Sequence, residues 1–172
     1  MYSDIFSLPQ LFGYATFLLG MVTFSRKHDG HFKRWLTAQN FLYAVHFYLM
    51  GNPAAVASMG LSMARNLLSM RTRALWVAGV LLAANLLLSL FVVKSAWNVL
   101  PLLAVAVATV SMFRLEGLQL RYGMLVATLL WLANNILTGS IGGTAMEVVI
   151  TIVSCVTIFR LRRDRQLAAQ EA

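Results

Sequence analysis

The sequence predicts an all-α membrane protein, in which seven transmembrane helices form two parallel three-helix repeats joined by a linker helix. Composition is the first reason: 59% of the 172 residues are hydrophobic and 12% are charged, about half the charged share of a soluble domain. The second reason is a series of apolar runs separated by short basic loops. The third is that the loop spacing repeats after 88 residues, as between Gly51 and Gly139. This pattern excludes an ordinary soluble domain and a disordered chain.

Seven apolar runs are candidates for membrane crossings. They cover residues 5–25, 35–50, 53–70, 74–93, 99–113, 122–137 and 141–159. Only Gly51 and Asn52 separate the second run from the third, and only residues 138–140 separate the sixth from the seventh, so each pair is predicted to reverse in a tight turn. Several runs are shorter than the ~20 residues that span a bilayer, which local thinning accommodates. Residues 1–4 carry no positive charge, so the first run is predicted to be a membrane helix rather than a cleaved signal peptide.

The basic residues predict how the helices are oriented. Twelve of the 14 lysines and arginines flank the connections after the first, third and fifth runs or follow the seventh run. The opposite side has only Lys94, and Arg65 lies inside an apolar run. Because cytoplasmic loops are enriched in Lys and Arg, the N-terminus is predicted to be outside and the C-terminus inside. This alternation requires an odd number of crossings.

An internal repeat organises the runs. Shifting the first three by 88 residues superimposes them on the last three without a gap, and Arg26 then falls on Arg114. Since one crossing separates the two triplets, they have the same orientation, and their symmetry axis runs along the membrane normal. The predicted single membrane domain, 1–172, contains a first triple-helix bundle at 5–70, a linker helix at 74–93, a second bundle at 99–160 and a basic cytoplasmic tail at 161–172.

Two resemblances follow from these features. The three-plus-one-plus-three arrangement resembles the SWEET and PQ-loop transporters, and Pro9-Gln10 is similar to the proline-glutamine signature of that group. Three segments resemble the YgjV family of bacterial inner-membrane proteins: VHFYLMG at 45–51, RTRALW at 71–76 and GSIGGT at 139–144, the last followed by Glu147. This resemblance implies a multi-pass protein of the bacterial inner membrane, so that the predicted outer terminus is periplasmic.

Polar side chains inside the apolar runs indicate a site, because a polar group that faces lipid has no hydrogen-bonding partner. Two helix faces combine an aromatic ring with polar groups at helical spacing. They consist of Asn40, Tyr43 and His46 on the second helix and of Trp131, Asn134 and Asn135 on the sixth. We expect the faces to oppose each other around a central site, where Tyr43 and Trp131 stack on a sugar or similar solute. The alternative is that these residues only join helices, at roughly 0.6 kcal/mol per hydrogen bond.

Further polar residues extend this interpretation. Asn66 and Ser154 occupy equivalent repeat positions, and they either line the inner half of a pathway or allow close helix packing. Glu147 and Arg65 place charges inside predicted membrane helices, where a central charge costs about 2.5–3.5 kcal/mol. Glu147 is predicted to carry a proton and to contact His46, or else to make a structural hydrogen bond. Arg65 is a second coupling or structural charge, unless it extends to the inner headgroups.

The leading functional hypothesis is a SWEET-like transporter of a small polar solute. The alternative is a non-transporting membrane receptor or scaffold with the same fold. An enzyme is not expected, because the sequence contains no catalytic motif. No cofactor, metal or nucleic-acid partner is expected either: His28 and His31 lack a third protein ligand, and no basic patch is interleaved with surface aromatics. The expected partner is the bilayer, whose anionic inner leaflet attracts the basic tail, and the chain is a monomer or a homodimer.

Overall fold

The computed structural model describes residues 7–90 and 99–170. Within these residues the chain forms seven helices, in agreement with the predicted all-helical class. They are α1 (Leu8–Phe24), α2 (Asp29–Leu49), α3 (Pro53–Arg71), α4 (Leu75–Leu90), α5 (Val99–Arg114), α6 (Gly117–Leu137) and α7 (Ile141–Gln170). The first two residues of the first predicted run, the last three of the fourth, and Lys94 lie outside the described residues.

Three helices extend by several residues beyond the apolar runs that predicted them. α2 begins at Asp29 instead of residue 35, α6 begins at Gly117 instead of residue 122, and α7 continues through the predicted tail to Gln170. The additional turns carry charged residues, so hydropathy marked the apolar part of each helix and not its full length. α1 and α3 each have a proline in the first turn, where the missing N–H has no helical partner to lose.

The two tight turns have the same hydrogen bonds. Gly51 and Gly139 have φ of 69° and 70°, a conformation that glycine adopts at little cost. The N–H groups of Asn52 and Ser140 each bond the carbonyl five residues earlier at 2.9 Å. The side chains of the same two residues then accept from the N–H three residues later, at 3.1 and 3.3 Å, and so cap α3 and α7.

We call α1–α3 and α5–α7 the two helix triplets. In each triplet the second helix lies in the middle. α2 packs between α1 and α3, and α6 packs between α5 and α7. The triplets meet along two seams: the α1/α7 seam, where α1 packs against α7, and the α3/α5 seam, where α3 packs against α5. α4 packs against both α3 and α5, so it lies along the α3/α5 seam.

Hydrogen bonds fix which helix ends lie together. The Lys33 ammonium, near the start of α2, donates to the carbonyl of Ser69 at 3.0 Å and to that of Met112 at 2.8 Å. α3 and α5 therefore end beside the start of α2. Arg121, near the start of α6, donates to the carbonyl of Lys27 at 3.1 Å, just after α1. We call the end of the molecule where Lys33 and Arg121 form these hydrogen bonds the basic end. We call the opposite end, where the turns at Gly51 and Gly139 lie, the turn end. α1, α3, α5 and α7 run toward the basic end, and α2 and α6 run away from it.

Buried positions recur at the 88-residue spacing. Every buried residue of α1 and α2 has a buried residue 88 positions later in α5 or α6. The pairs are Thr16/Ala104, Gly20/Ala108, Thr23/Ser111, Phe24/Met112, Phe32/Leu120, Lys33/Arg121, Leu36/Met124, Gln39/Ala127 and Asn40/Thr128. Phe24, Phe32 and Leu36 and their three counterparts belong to a single core, in which the rings of Phe24 and Phe32 meet edge to face with centroids 5.4 Å apart.

The helix lengths and surfaces are consistent with a helical membrane protein. α6 and residues 143–170 of α7 are long and apolar enough to cross a bilayer, with mean hydropathy of 1.2 and 1.8. α1 is apolar but has 17 residues, somewhat below the ~20 of a typical crossing, and the described parts of α4 and α5 are apolar as well. Large apolar side chains are exposed on the outer surface, including Leu90 at 67% and Phe159 at 66%. Such surfaces mark contact with a membrane or partner.

Candidate functional site

An aromatic cluster on α2 lies near the turn end. Tyr43 stacks on Phe47 with ring centroids 4.6 Å apart, and the His46 ring lies 5.8 Å from Tyr43 and 5.2 Å from Phe47. His46 Nδ1 is 2.7 Å from the carbonyl oxygen of Pro9. Gly13 makes room for the imidazole, because a Cβ there would lie 3.3 Å from it. The cluster therefore attaches α2 to the start of α1.

Glu147 lies partly buried on α7, less than two turns from the start of that helix. Within the described residues no hydrogen bond or ion pair joins Glu147 to His46. The imidazole binds α1 instead, because the Pro9 carbonyl lies within hydrogen-bond distance of Nδ1.

The three predicted residues of α6 have different surroundings. Asn134 is buried, whereas Trp131 has 36% of its surface exposed. Asn135 packs over the first turn of α7, so that a Cβ at Gly143 would lie 2.8 Å from its side chain. Within the described residues the rings of Tyr43 and Trp131 do not contact each other. The α6 face thus divides into an asparagine pair near the α6–α7 turn and a partly exposed indole.

Several buried polar atoms on α2, α3 and α7 have no hydrogen-bond partner within the described residues. They are Gln39 Oε1, Asn40 Nδ2, Asn66 Nδ2, Thr151 Oγ1 and Ser154 Oγ. Asn66 and Ser154, which are 88 residues apart, are almost inaccessible, at 0% and 4% exposure. An unpaired buried polar group costs about 1–3 kcal/mol. Each of these atoms could still form a hydrogen bond with a bound molecule.

Arg65 orients the amide of Asn66. Its Nε and Nη2 donate to Asn66 Oδ1 at 3.3 and 3.2 Å, which leaves the Asn66 amide nitrogen as the unpaired group. The guanidinium also lines a narrow space between α3, α4 and α5, beside Asn85 and Thr109. No carboxylate lies within ion-pair distance of Arg65 in the part of the chain that the structure describes. Arg65 therefore acts through hydrogen bonding and not through a salt bridge.

Asp29 connects the two triplets at the basic end. Its Oδ2 accepts from the N–H of Gly117 at 2.6 Å, and its Oδ1 lies 3.1 Å from Nη2 of Arg121. The Arg121 side chain is 3% exposed and lies over Phe32, with its guanidinium carbon 4.3 Å from the ring centroid. Lys33 lies before the predicted span 35–50, and burial lowers the pKa of its ammonium, an effect that the Asp29 carboxylate opposes.

Sequence reasoning assigned none of these basic-end residues to a site. In the sequence Lys33 and Arg121 indicate only topology, although their 88-residue spacing also identifies them as a pair. Asp29 lies between two histidines whose rings are 5.7 Å apart in the structure. Within the described residues no group of three or more potential ligands could hold a metal ion.

Comparison with known proteins gives one family. Residues 7–165 match the Imp-YgjV family, which is described as a bacterial inner membrane protein. The chain is 33% identical over 156 residues to inner membrane protein YgjV of Escherichia coli (strain K12), and the match covers 91% of this chain and 85% of that protein. No solved structure matches.

Proposed function

This chain belongs to the YgjV family of bacterial inner membrane proteins, and on that premise we propose that it is a SWEET-like carrier of a small polar solute such as a sugar. The solute would pass between the helix triplets, along the unpaired polar atoms of α2, α3 and α7. The seven helices would all cross the bilayer, with the basic end in the cytoplasm and the turn end in the periplasm.

Charge and helix length support this orientation. Lys33 and Arg121 lie at the basic end, as do the connections that contain most of the other basic residues, and Lys and Arg are enriched on the cytoplasmic side of membrane proteins. α7 has 30 residues, which gives about 45 Å at 1.5 Å per residue. Because the hydrocarbon core is about 30 Å thick, the last turns of α7 would extend beyond it and carry their arginines to anionic headgroups.

Three structural features support two parallel three-helix repeats. Every buried residue of α1 and α2 has a buried counterpart 88 residues later. The turns at Gly51 and Gly139 share their φ values and hydrogen bonds. Exchanging the triplets also converts the α1/α7 seam into the α3/α5 seam, as a two-fold axis along the membrane normal requires. A passage between two such halves fits the transporters that the sequence resembles.

The unpaired groups of Asn66 and Ser154 are the observation that carries the transport function. They occupy equivalent positions on α3 and α7, they are inaccessible from the surface, and they have no partner within the described residues. Hydroxyls of a sugar could accept from the Asn66 amide and bond the Ser154 hydroxyl. Tyr43 and Trp131 would stack on the solute nearer the turn end, and Asn40, Asn134, Asn135 and His46 would supply further polar contacts.

Uptake into proteoliposomes tests this function. The purified protein would be reconstituted and supplied with a panel of radiolabelled pentoses, hexoses and polyols. We expect uptake of at least one solute, and we expect Asn66→Leu and Ser154→Ala each to reduce the initial rate about 10-fold, since each removes a hydrogen bond from a desolvated site. Ser89→Ala is the matched control: it deletes a serine hydroxyl on α4 that bonds its own helix at 2.7 Å, and uptake should not change.

The same assay distinguishes a proton-coupled carrier from a passive one. It also tests the alternative that the protein is a receptor or scaffold. If Glu147 carries a proton, Glu147→Gln should abolish stimulation by a proton gradient while leaving exchange at equal pH intact. A folded wild-type protein that moves no solute of the panel above the empty-liposome background would contradict transport. A stable co-purifying protein in that case would favour the receptor or scaffold function.

A further inference from the structure

An open cavity lies at the basic end of the α3/α5 seam, and none of the residues with unpaired atoms on α2, α3 and α7 named above lines it. Its volume is about 480 Å³, within the ~300–1,000 Å³ typical of small-molecule sites. The walls come from the first turns of α2, the end of α3 with the turn that follows it, and the end of α5 with the α5–α6 connection. The charged lining residues are Asp29, Lys33, Arg34, Arg71, Arg73 and Glu116. We call this space the basic-end cavity.

The acidic lining residues are already paired. Glu116 forms an ion pair with Arg73, and Asp29 is held by the Arg121 guanidinium and the N–H of Gly117. Two of the cationic groups have no such compensation. In the described part of the chain no carboxylate lies within ion-pair distance of Arg34 or Arg71.

Lys33 adds a third cation at the base of the cavity. Its ammonium has three hydrogens, of which two serve the carbonyls of Ser69 and Met112. The cavity therefore presents two unpaired guanidinium groups beside a partly satisfied ammonium. This is an electrostatic environment for an anion.

We propose that the basic-end cavity binds a phosphate group, carried either by an anionic phospholipid headgroup or by a soluble phosphate ester. Guanidinium forks match the oxygen geometry of phosphate and bind it in a bidentate manner. Basic pockets between transmembrane helices on the cytoplasmic side are suited to phosphorylated headgroups. Arg34 and Arg71 supply the forks, and the Lys33 ammonium supplies a point charge. This site is separate from the solute pathway, so either could exist without the other.

Binding to the full-length protein in detergent tests the assignment. The probes are dioctanoyl phosphatidylglycerol, glycerol 3-phosphate and dioctanoylglycerol, which has no phosphate, and the readout is the Kd measured by thermophoresis. We expect Arg34→Gln with Arg71→Gln to weaken phosphate binding at least 10-fold, which corresponds to about 1.4 kcal/mol. Arg163→Gln removes an exposed arginine of the tail, outside the cavity, and is the matched control that should leave the Kd unchanged.

A second variant keeps the test independent of arginine removal. A side chain at Gly30 would enter open space at the cavity wall, since a Cβ there meets nothing within 4 Å. Gly30→Glu should therefore fold normally and abolish binding by occupying the cavity with a carboxylate.

Each outcome bears on the assignment. Binding of phosphatidylglycerol alone identifies a lipid site, and competition by glycerol 3-phosphate identifies a site for soluble phosphate esters. Equal affinity for dioctanoylglycerol, or equal loss in the Arg163 variant and the double variant, overturns the proposal. So does undiminished binding by Gly30→Glu.

Discussion

The two seams between the helix triplets are filled differently at the basic end. In the α1/α7 seam, α7 continues as a helix, and its tail contacts the other elements there. The Arg162 guanidinium lies 5.3 Å from the ring centroid of Tyr122, and Lys27 pairs with Asp164. In the α3/α5 seam, α3 ends at Arg71, and a cavity of about 480 Å³ remains beside its end.

This difference arises from helix length and not from how the triplets pack. Buried positions of α1 and α2 have buried counterparts in α5 and α6, but α3 stops where α7 goes on. Thr72 has an extended backbone, with φ −142° and ψ 151°, and turns the chain toward α4. The two triplets therefore present different surfaces at the basic end because α7 is longer than α3.

The largest expected effect on Tm comes from replacing Asp29, which joins the first triplet to Gly117 and Arg121 of the second. Asp29→Ala leaves the buried Arg121 guanidinium without its carboxylate and removes the acceptor of the Gly117 N–H. Removing one partner of a buried ion pair lowers the free energy of unfolding by about 3 kcal/mol or more. Thermal unfolding of Asp29→Ala in detergent should therefore show a pronounced fall in Tm. Glu116→Ala removes the exposed ion pair with Arg73 and should change Tm little. Equal shifts in the two variants would show that Asp29 does not connect the triplets.

How much of the fold and of the candidate site the sequence predicts depends on how far apart in the chain the interacting residues lie. The turns at Gly51 and Gly139 are local, and glycine with a following capping residue predicts them from sequence. The bond between Asp29 and Gly117 joins residues 88 positions apart, and hydropathy contains no information about such a pairing. The same limit applies to His46: the sequence predicts a contact with Glu147, but the imidazole lies against the Pro9 carbonyl, 37 positions away in the chain.

The next largest effect tests whether the α1/α7 seam is tight along its length. A Cβ at Gly20 would lie 2.9 Å from Gln39 Nε2 and 3.1 Å from Ile150 Cδ1, so Gly20→Val overpacks the junction of α1, α2 and α7. Overpacking costs typically 1–3 kcal/mol, and we expect about 2 kcal/mol as a lower Tm. Gly60→Val on α3 meets open space and is the control. A fall in Tm for Gly60→Val as large as that for Gly20→Val would contradict the difference in packing.

A smaller effect on Tm is expected when Lys33, at the α3/α5 seam, is replaced, and Arg121 at the α1/α7 seam provides the comparison. Lys33→Met removes the donor to the carbonyls of Ser69 and Met112, but water in the open cavity can replace it, so the cost should be about 1 kcal/mol. Arg121→Met should cost more, because it removes a guanidinium that is 3% exposed and that pairs with Asp29 and donates to the carbonyl of Lys27. The measurement is again Tm in detergent. If both substitutions lower Tm equally, the open cavity does not hydrate the carbonyls as described.

The smallest effect concerns the tail that distinguishes the α1/α7 seam. Asp164→Asn removes the ion pair with Lys27, and both side chains are substantially exposed, at 45% and 29%. Exposed pairs contribute little because solvent and salt screen them, so Tm in 0.15 M salt should not change measurably. The tail would then be held mainly by the Arg162–Tyr122 contact, and Arg162→Ala should lower Tm more than Asp164→Asn does. The reverse order would show that the tail is retained by charge pairing, and the two seams would then differ in charge instead of in helix length.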